Sequence, residues 1–394
     1  MAKFIIGSTG FPPFDNPPDL PDRPDPPVRR RLTRKEIERD VRPLDVAARE
    51  AMMLCLETHD RRFDRLPIPV RYRASGAIEA WTIARSIAGR DGAKLAAAFA
   101  DHNRPVMELQ SELDDFVTGC LGEAPFDADH RDLCEIYTQS AISQAFWLRK
   151  GALYEPTSAL HRLLEASDIA SDVPVSLLRL PAPAICIVPE PALRDSHDGF
   201  EAVMVFEHGS PAGWTENRCL TFCGWPHEDS PKLDLPVTFF SIEAGGNNAS
   251  LQRIIAGLSV HFPMDDESMV FWRRALDYVV KVLLYLSLDV APVIHERPYS
   301  TAPRRPAAPG KRKRLEQFEA LESLYDRYIV GPAVLPEPSC TSASSNSTDH
   351  EVRAHWRRGH FRMQAHGPGA TLRKLIFVMP VLVRADRLGV DAAP

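Results

Sequence analysis

A chain of 394 residues, 44% hydrophobic and 25% charged, holds enough apolar material for more than one buried core, which excludes a wholly disordered or fibrous protein. Its net charge of −6 excludes a protein that grips polyanions over its whole surface. No apolar run approaches a membrane span; the nearest, 275–290, is interrupted by Asp277, Lys281 and Asp289. Seven dispersed cysteines, an odd number, fit free thiols in a reducing compartment. The expected location is the cytoplasm, with no membrane partner.

Residues 1–32 are rich in Pro and Asp and read as a disordered arm, because they cannot bury enough apolar area to offset ordering entropy. Thr33 with Glu36 forms a capping-box pattern. Helical periodicity follows, is broken at Pro67-Ile68-Pro69, and resumes over 77–87, 92–100, 105–121 and 129–148. Residues 33–150 therefore read as a helical region. The acids and His130 at the start of its last helix match no usual metal-ligand spacing and complement the helix dipole, so no metal and no cofactor is expected.

From residue 151 to 295 the texture is that of an α+β core. Pro174 to Pro181 opens a β-rich region after a short helix at 161–166. Strands are expected at 185–188, 200–208, 218–225 and 235–243, forming an antiparallel meander. In the second of these, Phe200, Ala202, Met204 and Phe206 alternate onto one face. Cys219 and Cys223 share a strand face and read as core thiols rather than zinc ligands. A short helix at 249–258 precedes a long one at 265–288, apolar around most of its circumference and so expected to lie centrally against the sheet. Residues 296–349 form a basic, proline-rich connector with an amphipathic helix at 313–329.

The last unit, 350–387, reads as a basic β-hairpin. Between Glu351 and Arg387 eight Arg or Lys face two acids, in an otherwise acidic chain. His366-Gly367-Pro368-Gly369 is turn chemistry between two strand-like runs. The second run, 372–383, lacks alternation and is expected to be buried on both faces. In the first run a β-bulge near Gly359 would bring Trp356, Phe361 and Met363 onto the core face and His355, Arg357, His360 and Arg362 onto the other. Guanidinium groups pair with phosphate bidentately, so Arg353, Arg357, Arg358, His360, Arg362, Arg373 and Lys374 are the candidate nucleic-acid contacts. His355 and His360 are the candidate acid–base pair should the hairpin cleave RNA.

The block His355-Trp356-Arg357-Arg358-Gly359-His360-Phe361-Arg362, followed by Gly367-Pro368-Gly369 and by Leu372 to Pro380, resembles the C-terminal block of an anti-CRISPR family. That family's best-known member lowers production of the type V-A CRISPR effector nuclease. Two weaker matches lie upstream in order, Pro174 to Pro181 and the Leu283-Leu284-Tyr285-Leu286 helix ending near Pro292. The resemblance implies a regulator carried by mobile elements, not a metabolic enzyme. It would recognise the nascent N-terminal peptide of a CRISPR effector or other target and promote loss of its mRNA. One surface would then hold an extended peptide, and the basic hairpin would face messenger or ribosomal RNA. Two alternatives stand beside this reading: a ribonuclease or RNA-binding module using the C-terminal Arg/His strip, and a protein-interaction module without nucleic acid. The expected fold is α+β: a helical layer, an antiparallel sheet backed by the long helix, and the docked hairpin.

Overall fold

The computed structural model of the chain describes residues 63, 65–109, 111–113, 115–116, 131–194, 199–209, 218–226, 238–245, 249–257, 266–303, 311–335 and 355–383. The expected arm and the Thr33 capping pattern lie outside these residues. The fold is α+β in three layers, with a helical layer and one long helix on opposite faces of a large sheet.

The first layer contains α1 (Ile68–Ala74), α2 (Ala77–Ile87), α3 (Arg90–Ala100) and α4 (Arg131–Leu148). Pro67 and Pro69 do more than interrupt a helix. Pro67 sits in extended conformation as the N-cap of α1, and Pro69 occupies its first turn, where a missing N–H leaves no hydrogen bond unmade. Gly76, at φ +83°, lets the chain turn into α2, a conformation that L side chains rarely adopt. Trp81, Phe99 and Phe146 are fully buried beneath this layer.

Among the described residues the sheet has seven strands: β1 (Ala152–Pro156), β3 (Ala184–Ile187), β4 (Phe200–His208), β5 (Cys219–Pro226), β6 (Thr238–Glu243), β7 (Val293–Glu296) and β8 (Arg327–Val330). Their order is β6-β5-β4-β3-β1-β8-β7. The expected antiparallel meander is its β3-to-β6 half. Two parallel pairings, β1 with β3 and β1 with β8, extend it, and β7 closes the far side antiparallel to β8. The amphipathic run expected to be helical through residue 329 stops early. A helix ends at Glu322, and Tyr328, Ile329 and Val330 join the sheet, where aromatic and β-branched side chains pack well.

Alternate residues feed two cores. Cys186, Met204, Phe206 and Cys223 pack under the helical layer. Ile185, Ile187, Val203, Val205 and Phe222 pack on the opposite face. Phe200 departs from its expected face: a register shift between Phe200 and Ala202 sends it into the second core, while Ala202, Met204 and Phe206 stay in the first. Cys219 is fully buried, as is Cys223.

Helices α5 (Ser158–Glu165), α6 (Pro191–Arg194) and α7 (Leu251–Ala256) precede α8 (Asp266–Leu286), which covers the second core. Trp272, Leu276, Val279 and Leu283 of α8 are buried, the three aliphatic side chains each worth about 1.5–3 kcal/mol when removed from water. The one buried cation of α8, Lys281, donates to Asp277 Oδ2 at 2.6 Å and to the Leu164 carbonyl at 3.2 Å, so its charge is compensated. Two helices, α9 (Pro298–Thr301) and α10 (Lys311–Glu322), lie among the described residues of the connector. The Pro174–Pro181 run, expected to open the strands, forms a 3-10 turn at Val175–Leu177 with Val175 and Leu178 fully buried.

Candidate functional site

The C-terminal unit docks through β2 (Ser167–Ile169), a three-residue strand that sequence reading missed. β10 (Gly359–His366) runs parallel to β2 and antiparallel to β11 (Leu372–Val378), giving the order β11-β10-β2. β9 (His355–Arg357) pairs instead with β12 (Val381–Val383). The expected bulge near Gly359 is thus a break: the chain leaves one sheet at Arg357, steps through Arg358 and enters another at Gly359. Gly359 is required there, since an added Cβ would overlap Ser167 Oγ and lie 2.7 Å from both Val378 O and Pro380 Cδ. The Gly359 amide donates to Ala166 O, and the Ala170 amide to Phe361 O, each at 2.9 Å.

Phe361 is the anchor. It is fully buried and stacks on Phe377, its cross-strand partner, with centroids 4.5 Å apart; Tyr285 of α8 meets Phe377 edge-on at 6.0 Å. Met363 and Leu375, the next pair on this face, are half-buried and buried. The second run is not buried on both faces as expected. Leu372, Arg373 and Lys374 are exposed and Ile376 half-buried, because the hairpin projects beyond its support at the turn end. At that end Gly367, Gly369 and Ala370 all take positive φ.

Period-two alternation sends His360, Arg362, Gln364 and His366 to the other face. Lys374 lies directly across from Gln364 and so joins them. Arg373, across from Ala365, falls on the anchor face beyond the core, and is exposed. Arg357 is exposed on β9. Two cations are already partnered: Arg358 Nε lies 3.0 Å from Asp168, and Lys374 Nζ 2.7 Å from Asp289. The Lys374 hydrogen bond and charge hold the Asp289 carboxyl below its ordinary value. Among the described residues, no carboxylate lies within ion-pair distance of Arg357, Arg362 or Arg373. Asp168 was invisible as a partner because β2 was; Asp289 follows α8 and meets Lys374 only through tertiary packing. Arg353 and the side chains of His355 and Trp356 lie outside what the structure describes. His360 is half-buried, and the break at Arg358 places its strand and that of His355 in different sheets.

A cleft of about 520 Å³ opens elsewhere, at the ends of β4 and β5 against the loop after α3. Three of its ionisable side chains, Glu207, His208 and Arg218, already have hydrogen-bond partners. Arg218 donates to both oxygens of Glu207, at 2.8 and 3.0 Å, and to the Leu178 carbonyl at 2.5 Å. His208 is buried, which lowers its pKa, and its neutral ring is fixed at both nitrogens: Nδ1–H donates to Gly209 O at 2.6 Å, and Nε2 accepts from Thr221 Oγ1 at 2.7 Å. The hairpin therefore presents the freer chemistry.

A family model described as AcrVA2-like, the anti-CRISPR type V subtype A2 family, matches residues 154–385. No curated protein matches the chain. A crystal structure of AcrVA2 is similar to it with a TM-score of 0.43 and 14% identity, over 78% of this chain and 96% of that one.

Proposed function

The chain belongs to the AcrVA2-like anti-CRISPR type V subtype A2 family, and on that premise we propose that it lowers production of a CRISPR effector by recognising the effector's nascent N-terminal peptide and promoting loss of the encoding mRNA. The observation that carries this reading is the span of the match. Residues 154–385 take in all but the start of the seven-stranded sheet, the long helix and the whole described hairpin.

The hairpin supplies the contact with message or ribosome. Arg357, Arg362 and Arg373 carry it, since each is exposed and has no carboxylate partner among the described residues. Arg358 and Lys374 contribute less, because a phosphate must first compete with Asp168 or Asp289. His360, beside Arg362 on the same face, adds a hydrogen-bonding edge. A guanidinium–phosphate contact releases condensed counterions, so binding weakens as salt rises. No bond is broken by this chain in the scheme: it marks a message that other nucleases remove.

The test is a reporter whose first codons encode the effector's N-terminus, expressed with the protein in cells that translate it. Wild type should lower both reporter protein and reporter mRNA. The triple variant Arg357→Ala/Arg362→Ala/Arg373→Ala should leave the mRNA near its uninhibited level, and purified, should show a flatter salt dependence of RNA binding. Undiminished mRNA loss with the triple variant would remove the hairpin from the mechanism. Cleavage of RNA by the pure protein, abolished by His360→Ala, would replace the scheme with the ribonuclease reading.

A further inference from the structure

The seven-stranded sheet ends at β7, and among the described residues no strand lies beyond it. All four residues, Val293, Ile294, His295 and Glu296, are exposed, Ile294 at 62%. Their backbone polarity follows from one hydrogen bond. Gly331 N–H donates to Pro292 O at 2.9 Å, which makes Val293 and Val330 a non-hydrogen-bonded pair. By alternation, the N–H and C=O groups of Val293 and His295 point away from β8, toward water. Proteins commonly blunt such edges with lysine or an outward charge. Here there is no lysine, and Glu296 is turned back onto Arg327 at 2.9 Å.

A second feature converges on the same edge. Tyr154, Tyr328 and His295 occupy one row across β1, β8 and β7. Their rings form a continuous stack: Tyr154 on Tyr328 at 4.9 Å and 14°, and Tyr328 on His295 at 4.1 Å and 12°. The stack begins in the core, where Tyr154 is buried, and ends at the exposed imidazole. A strand added alongside β7 would place its next side chain in that row.

We propose that the β7 edge is a docking strand for a short extended peptide that adds antiparallel to it. The peptide sets a planar side chain against His295 and apolar side chains against Ile294 and Val293. This rests on the reading above that the partner is a polypeptide not yet folded, and it assigns that polypeptide's site to the sheet edge, apart from the hairpin. Pro292 and Pro298 bracket β7, so the register is confined to about four residues of ladder. Backbone bonds to Val293 and His295 give affinity independent of sequence, and the ring row and Ile294 select side chains.

The experiment uses the full-length protein and a fluorescein-labelled peptide, Lys-Thr-Phe-Ile-Val-Thr-Lys, followed by anisotropy. Its Phe→Ala counterpart should bind about fivefold more weakly, the value of one aromatic stack. Val293→Pro removes an outward N–H that bonds nothing among the described residues. It should weaken the Phe peptide about tenfold, from a lost hydrogen bond and a steric block, and leave the thermal midpoint unchanged. Should Val293→Pro disturb folding, His295→Ala tests the same site, with about a fivefold loss for the Phe peptide and none for the Ala peptide. Amide exchange at Val293 and His295 should slow in the complex. Equal binding of the two peptides, or by wild type and a folded Val293→Pro protein, overturns the proposal. So does a concentration-dependent doubling of mass that Val293→Pro abolishes, which would make a second copy the occupant. Peptide binding that persists while the reporter assay shows no loss of mRNA would sink the proposed function and leave the edge intact.

Discussion

Phe361 should decide whether the hairpin stays attached. A buried Phe side chain removes roughly 150–250 Å² from water, or about 4–6 kcal/mol at about 25 cal/mol per Å². That is an upper bound, because unfolded chains already hide part of the area. Phe361 is fully buried and also stacks on Phe377, so Phe361→Ala forfeits the stack and leaves a cavity between β10, β11 and α8. The expected loss is ~3–5 kcal/mol. Phe361→Leu, nearer in volume, should lose about 1–1.5 kcal/mol. Urea unfolding followed by far-UV circular dichroism measures the global term. Limited proteolysis between residues 359 and 378 measures whether the hairpin lifts off first. If it lifts off locally, the global midpoint moves little and the cleavage rate rises instead. An Ala variant with both an unchanged midpoint and an unchanged cleavage rate would refute the anchoring role.

Gly359→Ala should detach the same unit from the other side, because its Cβ would press on Val378 O and Pro380 Cδ; protease sensitivity at the β9–β10 break should rise while β4 and β5 stay protected. His208 is held neutral by burial, so its folded pKa lies below 6.5 and the unfolded state takes up the proton first. Stability should therefore fall as pH drops below about 6.5, with a slope approaching but not exceeding ~1.4 kcal/mol per pH unit, and His208→Asn should flatten that slope in urea titrations at a series of pH values. Arg149, its pKa lowered to about 10 chiefly by burial, donates to Phe99 O and Arg104 O, each at 3.0 Å. Arg149→Met should cost about 1–3 kcal/mol by stranding those carbonyls, and Arg149→Lys should not restore it, since one ammonium cannot reproduce the fork.

Much of this architecture could be read from residue order. The meander strands announce themselves by apolar runs between turns, and α8 by an apolar circumference over 21 residues. What escaped reading is short: β2 has three residues, and β1, β7 and β8 have four or five. In β8, Tyr328 and Ile329 continue the spacing of the preceding helix, and only their parallel pairing with β1 decides between the two. Phe200 shows the same limit, since its side is set by a register shift that tertiary pairing imposes. In the candidate site, the outward turn of His360 and Arg362 followed from alternation alone. The separation of Arg373 from Lys374 did not, because it depends on the register fixed by the Gly367–Ala370 turn. Nor did the ion pairs, whose carboxylates come from positions far away in the chain.

The pairing of β1 with β8 has a consequence for a chain made from its N-terminus. Glu155 and Arg327, joined at 2.9 Å across that pairing, stand 172 residues apart. While ribosomes extend the intervening segment, one flank of β1 stays bare, and only after β8 emerges can the gap be filled. The protein itself therefore passes through a long stretch of its own synthesis with an open sheet flank, a period in which chaperones or neighbouring chains compete for it. Stalled chains that still hold β8 inside the exit tunnel, compared with chains long enough to expose it, should bracket the moment at which pulse proteolysis stops cutting within 152–156.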